Sequence, residues 1–263
     1  MATDEIAAPV PLADAYAGWA WTPVSRYPDQ ATWRLERAGA ATRYAKVVRT
    51  GAYPGVEAEA ARTRWARGHH LPVPAVVETG GDGDVGWLVT SGLPGRPATD
   101  PALGDPAAVV VALARGLRRF HRLAPVRPCP FDFRLPAAID HVGRRAEAGL
   151  IDPEDHFAAE HRHLDLDAAL RELRRLRPDG EDLVVCHGDH CPPNSLVTDG
   201  RVTGYVDLGE LGVADRWWDL AVATRAVTGT YGPGLEGLFL DAYGARPDPR
   251  RQAFYRLLYD LAS

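Results

Sequence analysis

Three residues in the second half of the chain have the types and spacing to hold a divalent cation and orient a hydroxyl. They are Asp189, Asn194 and Asp207, within VVCHGDHCPPNSLVTDGRVTGYVD, residues 184–207. Hard cations such as Mg²⁺ take oxygen ligands, commonly one or two carboxylates or amides completed by phosphate oxygens and water. A hairpin-like return from 194 to 207 brings Asn194 and Asp207 together and leaves Asp189 beside the metal, free to orient or deprotonate a hydroxyl. Phosphoryl transfer needs little more than a metal clamp, a cation on the phosphates and an acid at the nucleophile. Taken singly, each residue reads more simply as an Asx-turn or a helix cap, so the pattern carries the inference. Asp215 and Asp219, just downstream, read as structural, and His187 as a hydrogen-bonded organiser of the loop.

Around this loop the chain changes character. Residues 20–95 read mostly as strand: ATWRLER (31–37) alternates apolar and polar positions, and TRYAKVV (42–48) follows a short turn. EAEAARTRWARG (57–68) reads as a helix with Gly68 as its cap, and VPAVVE (73–78) and VGWLVT (85–90) flank TGGDGD as a hairpin. Helices then dominate, over 107–123, 137–150 and 153–176 (one helix or two). Short strands return at 183–186, 194–197 and 202–207, and helices at 213–227, 234–243 and 248–262 close the chain. The expected organisation is a β-rich lobe over 1–90, a hinge over 91–97 and a helical lobe over 98–263, with a cleft where the lobes meet.

Composition narrows the function classes. The 35 acidic residues outnumber the 30 basic ones, a net charge of −5, so nucleic acid and anionic membranes are not expected partners. Cys129, Cys186 and Cys191 are odd in number and show no CxxC spacing, which argues against disulfides and structural zinc and fits a reducing cytoplasm. The first 18 residues have neither a basic segment nor an apolar one, so no secretory signal is expected there, and no apolar run is long enough for a membrane helix. A monomer or weak dimer is expected. Lys46 is the one lysine among the 30 basic residues, all others being arginine.

The run HGDHCPPN (187–194) resembles the HGDxxxxN catalytic loop of the aminoglycoside phosphotransferases, relatives of the protein kinases, with Asp207 at the family's second metal-binding aspartate. EAEAARTRW (57–65), WLVTSGLPG (87–95), CPFD (129–132), PDGEDLVV (178–185), LGVADR (211–216), ATR (223–225) and AFYRLL (253–258) are similar to the 3′-phosphotransferase branch, so the resemblance spans most of the chain. It implies a bilobal, protein-kinase-like α/β (α+β) fold. It also implies transfer of the ATP γ-phosphate to a hydroxyl of an aminoglycoside or similar sugar-containing antibiotic, conferring resistance. Asp189 would be the catalytic base or hydroxyl orienter, and Asn194 and Asp207 the Mg²⁺ ligands. Lys46 would hold the nucleotide phosphates, paired with Glu59. SGLPG (91–95) would be the hinge, with backbone groups of Ser91 and Leu93 reading the adenine edge. GTP stays open as a donor, because backbone contacts discriminate purines only by register.

Two features depart from the family. The phosphate-covering loop, expected between 24 and 32, reads VSRYPDQAT and holds no glycine. On the acceptor side, the family's acids are depleted: Glu160 follows Ala158 and Ala159, ATR is followed by Ala226, and Tyr259 and Asp260 stand where two consecutive acids are expected. Glu210 stands where an arginine is usual. A close charge pair is worth on the order of 1–3 kcal/mol, so losing two or three weakens a polyamine ligand roughly a hundredfold or more. Two acceptor classes follow. One is an aminoglycoside held by Glu160, Glu210, Asp260 and the Ser263 carboxylate, with Arg225 nearby. The other is a less cationic natural product such as a nucleoside antibiotic, or a small hydroxylated metabolite, in a cleft containing Trp217, Trp218 and Tyr259, although the tryptophans read more simply as core packing on the helix over 213–227. A non-catalytic nucleotide-binding protein and a cysteine- or histidine-based hydrolase using Cys191 are the rivals from other classes.

Overall fold

The computed structural model describes residues 6–263; residues 1–5, where the stretch read as non-secretory begins, lie outside it. The chain divides into two compact units, one reaching to Pro94 and including Gly204–Glu210, the other made of Gly95–Thr203 and Leu211–Ser263. Residues 204–210, grouped by sequence with the helical part, thus belong to the first unit.

The first unit opens with a short helix, α1 (Val10–Ala15), and holds a five-stranded sheet: β1 (Ala20–Arg26), β2 (Gln30–Glu36), β3 (Arg43–Arg49), β4 (Val76–Gly81) and β5 (Val85–Ser91). Spatial order is β1-β2-β3-β5-β4, every pairing antiparallel. Period-two alternation gives the sheet two faces. Ala31, Trp33 and Leu35 of β2, Ala45 and Val47 of β3, and Trp87 and Val89 of β5 bury one face against Leu12 and Tyr16. The opposite face presents Val48 and Leu88 to Val56 and Ala60 of α2 (Val56–Gly68). The same alternation puts Lys46 on the α2 side, opposite Leu88 in register. Gly68 is the last helical residue rather than the cap; the chain leaves through His69 and then His70, whose φ of +61° makes the left-handed turn.

The second unit begins with the two-residue strand β6 (Arg96–Pro97). Its helices are α3 (Pro106–Leu123), α4 (Leu135–Glu147), α5 (Pro153–His156), α6 (Leu166–Leu176), α7 (Trp217–Tyr231), α8 (Glu236–Tyr243) and α9 (Pro249–Ala262). Aspartates start four of them, Asp105, Asp152, Asp165 and Asp248 each accepting from a first-turn amide. Such caps satisfy donors that the helix cannot. Its short strands are β7 (Leu183–Cys186), β8 (Ser195–Thr198), β9 (Arg201–Tyr205) and β10 (Gly212–Asp215), the last two residues of β9 belonging to the first unit. The stretch expected as one helix over 213–227 begins instead as β10, antiparallel to β7 with Gly212 opposite Cys186. Three residues of the expected helix, Val213–Asp215, are taken instead into a ladder with β7. The stretch 153–176 resolves into two helices, α5 and α6.

Leu113 and Leu117 of α3, Leu220 and Val222 of α7, Phe239 of α8, and Phe254, Leu258 and Leu261 of α9 form one core in this unit. No helix among the described residues is long and apolar enough to cross a membrane. Phe254 is fully buried. Phe254→Ala should therefore lower the unfolding free energy by about 3–5 kcal/mol, measured by chemical denaturation.

Candidate active site

In the first unit, Lys46 is held between two carboxylates, Nζ lying 2.8 Å from Glu59 Oε2 and 2.8 Å from Asp207 Oδ1. Strand alternation aims Lys46 at α2, and Glu59 sits in the first turn of α2 on its buried side. Burial alone would lower the ammonium's pKa. Glu59 and Asp207 more than offset it, so Lys46 is held above the ordinary lysine range and stays charged. Asp207 adopts φ +60°, a left-handed conformation that costs a non-glycine residue energy and that clusters at functional positions. Gly209, two residues on, lies so close to Pro54 that a β-carbon there would sit 2.3 Å from its ring, which pins the segment after Asp207.

Along the expected hinge, the Ser91 N–H donates to the Ala75 carbonyl at 2.9 Å and the Ser91 hydroxyl accepts from the Ala75 N–H at 3.0 Å. Gly92 N–H donates to Thr42. Ser91 and Leu93 thus stand two residues apart where β5 ends, the place expected to read a purine edge. The glycine-free segment at 24–32 is a tight β1–β2 hairpin closed by Tyr27 N–H to the Gln30 carbonyl, 2.8 Å.

In the second unit, the loop after β7 is fixed from below. Buried Asp219 of α7 accepts from the backbone N–H of His187 at 2.7 Å and of Gly188 at 2.9 Å, and His121 Nε2 lies 2.8 Å from it. Burial would raise the Asp219 carboxyl; the hydrogen bond and charge of His121 hold it below the usual range. Trp218 Nε1 donates to the Gly188 carbonyl at 2.7 Å. Gly188 has φ +96°, a conformation that favours glycine, and the sharp turn it makes leads directly into Asp189. Asp189 is then tied by Asn194, whose Nδ2 donates to its carbonyl at 3.1 Å and to Oδ2 at 2.8 Å. Both amide hydrogen bonds leave through nitrogen, so Asn194 presents its carbonyl oxygen. That oxygen and the Asp207 carboxylate are hard donors of the kind Mg²⁺ takes.

Asp215 and Asp219 have the structural parts expected of them. Asp215 accepts from Asp182 N–H, Trp217 N–H and Arg251. His187 is fully buried against the ring of Phe120. The tryptophans line no cleft: Trp217 and Trp218 are core residues, 5% and 2% exposed.

The expected acceptor-side residues fall into both units. Glu210 belongs to the first, in the turn after Asp207. Glu160, Arg225, Asp260 and Ser263 belong to the second, where the acids are already matched with bases. Asp260 accepts from Arg225 at 2.5 Å, His161 at 2.6 Å and the Ala158 N–H at 3.0 Å. It is 3% exposed, which corrects its reading as an open carboxylate for a substrate amine. Burial would raise it, but His161 and Arg225 hold it below the usual range. Glu160 pairs with Arg256 at 3.2 Å and Arg225 at 3.7 Å, and Arg145 donates to the Ser263 carbonyl oxygen at 2.7 Å. One contact escaped sequence reasoning: the Tyr259 hydroxyl donates to Asp189 Oδ1 at 3.0 Å. Seventy residues separate the two, and no local pattern marks the pair.

A sheet carrying a buried lysine–carboxylate pair, and a loop holding an aspartate with an amide-oriented asparagine, define a kinase-like phosphotransferase. Residues 20–255 match the model of the phosphotransferase enzyme family, and the chain belongs to that family, within its aminoglycoside phosphotransferases. It is 45% identical over 208 residues to an aminoglycoside 3′-phosphotransferase of Streptomyces fradiae, covering 76% of this chain and 77% of the relative. It is 37% identical to the streptomycin 3″-kinase of Streptomyces griseus, covering 83% and 84%. Among solved structures, an aminoglycoside-3′-phosphotransferase of type VIII superposes with a TM-score of 0.82 at 37% identity, covering 94% and 95%. A Streptomyces rimosus aminoglycoside phosphotransferase in complex with ADP and streptomycin superposes at 0.76 with 28% identity, covering 96% of each chain. The chain is therefore an enzyme that transfers phosphate to a hydroxyl group.

His190, beside Asp189, offers a test of the loop's burial. Burial pushes its pKa down to about 3, with His187 and His121 adding to the effect and Asp219 opposing it. The unfolded chain binds that proton near pH 6.5 and the folded one does not, so stability rises with pH between the two values. On acidification from about pH 6.5, His190 should cost up to about 1.4 kcal/mol per pH unit. Denaturant melts at several pH values should show a shallower slope for His190→Asn than for the parent.

Proposed function

We propose that this enzyme transfers the γ-phosphate of ATP to a hydroxyl of an aminoglycoside or a similar sugar-containing antibiotic, conferring resistance by O-phosphorylation. The observation that carries the reading is the similarity to aminoglycoside 3′-phosphotransferases along three quarters of the chain. The site geometry agrees with it. The purine edge would meet the Ser91 carbonyl and the Leu93 N–H, and Lys46, braced by Glu59, would bind the phosphates as a compact point charge. Asn194 and Asp207 would hold Mg²⁺, which neutralises charge on the phosphates. Asp189 receives the acceptor hydroxyl and orients it, taking its proton late, since a loose transition state asks little of a base. ATP as donor makes the cytoplasm the expected compartment. Guanine would present a different edge at the same backbone groups, so GTP competition against ATP measures the hinge's preference.

A second acceptor class is favoured by one observation. Glu160, Asp260 and Ser263 already carry Arg225, Arg256, His161 and Arg145 as partners. A polyamine must exchange for these cations, whereas a less cationic antibiotic or hydroxylated metabolite need not. A panel of aminoglycosides, nucleoside antibiotics and hydroxylated metabolites, read by ADP release and by mass gain of one phosphate, separates the classes. Phosphate gain on an aminoglycoside supports the first.

Two substitutions test the mechanism. Asp189→Ala should lower kcat by about 10²–10⁴-fold with a folded circular dichroism spectrum; full turnover in that protein would sink the assignment. Lys46→Arg should fold and yet lose most ATP-dependent activity, because a planar guanidinium fits poorly between two carboxylates and phosphates. Parental activity in that variant would make the lone lysine incidental.

A further inference from the structure

Both oxygens of Asp189 are addressed by donors from its own chain. Oδ2 accepts from Asn194 at 2.8 Å, and Oδ1 accepts from the Tyr259 hydroxyl at 3.0 Å. The phenol is itself held firmly. Its ring stands edge-on to Trp218, centroids 6.4 Å apart at 68°. The Arg225 guanidinium lies 5.2 Å from the ring centre on its face, within cation–π range. Arg225 is anchored in turn by Asp260 at 2.5 Å and Glu160 at 3.7 Å. The Ser263 N–H donates to the Tyr259 carbonyl at 3.0 Å, closing the last turn of α9 beneath it.

The chemistry of a phenol at this point differs from that of a carboxylate. A tyrosine hydroxyl has one proton and carries no charge at neutral pH. Once that proton is given to Asp189, the oxygen can accept from a ligand hydroxyl but adds no negative charge to balance an ammonium. Arg225, on the face of the ring, is already matched by Asp260 and Glu160. A substituent next to the reacting hydroxyl therefore meets a neutral acceptor, which suits another hydroxyl and gives an ammonium no charge to pair with.

We propose that Tyr259 is the positioning residue for Asp189 and sets the charge preference of the acceptor site, favouring a hydroxyl over an ammonium beside the hydroxyl that is phosphorylated. The preference rests on the aminoglycoside reading above; the positioning of Asp189 does not.

The experiment uses the full-length parent, Tyr259→Phe and Tyr259→Asp, with kanamycin A and kanamycin B. These two acceptors differ in one hydroxyl-for-amine exchange beside a phosphorylatable hydroxyl. Acceptor-free ATP hydrolysis is measured on the same proteins, since Asp189 orients water as it would orient a sugar hydroxyl. The parent should show the higher kcat/KM with kanamycin A. Tyr259→Phe, which keeps the ring and its contacts, should lower kcat and acceptor-free hydrolysis about tenfold while leaving the KM for ATP unchanged, as expected for one lost hydrogen bond to a charged group. Tyr259→Asp should move the kcat/KM ratio about tenfold toward kanamycin B, the gain of one carboxylate beside the amine. Parental kcat and hydrolysis in Tyr259→Phe overturn the positioning. A parent that prefers kanamycin B, or an unmoved ratio in Tyr259→Asp, overturns the preference. If the parent phosphorylates neither antibiotic, the aminoglycoside reading falls and the preference with it, while the hydrolysis rates still decide the positioning.

Discussion

A single buried carboxylate, Asp219, carries the loop that holds Asp189, the proposed orienter of the acceptor hydroxyl. That loop turns through Gly188 and has backbone amides that neither strand nor helix satisfies. Asp219 reaches up from the first turn of α7 and takes two of them, from His187 and Gly188, while His121 lies against it. An isolated buried carboxylate costs several kcal/mol. Here two amides and an imidazole compensate it, and hydrogen bonds to a charged group are worth about 1.5–3 kcal/mol each. The result is a rigid backbone path that delivers Asp189 to one place. Trp218, the neighbour of Asp219 on the same helix, seals the arrangement by donating to the Gly188 carbonyl and filling the space beneath.

In the first unit, strand alternation sends Lys46 toward α2 and Glu59 comes to meet it, with Asp207 joining them from a segment more than 150 residues further along. One cation between two carboxylates keeps its charge here because their attraction, little screened by water, outweighs the cost of burial. Asp207 pays a backbone strain to take its place there.

The acceptor side departs most from the simple idea of an acidic cleft. Its carboxylates are closed into pairs with arginines and histidines, so the net field is weaker than a count of acids indicates. Arg225 links three of the participants, Asp260, Glu160 and Tyr259.

The amino-acid sequence by itself determined the class of chemistry. Asp189, Asn194 and Asp207 were suggested by residue types at a spacing that a hairpin can close, whereas Lys46 and Glu59 entered through the resemblance to the phosphotransferase family. The β-rich beginning and helical remainder were legible because periodicity is local. Only the tertiary structure decided the rest. It turned Val213–Asp215 from helix into strand through a ladder to β7, assigned residues 204–210 to the first unit, buried Trp217 and Trp218, closed Asp260 onto His161 and Arg225, and set Tyr259 against Asp189. Each of these joins residues far apart in the chain, where no pattern in sequence registers an approach. The partner of a charge or a hydroxyl is fixed by packing, and packing is a property of the folded whole.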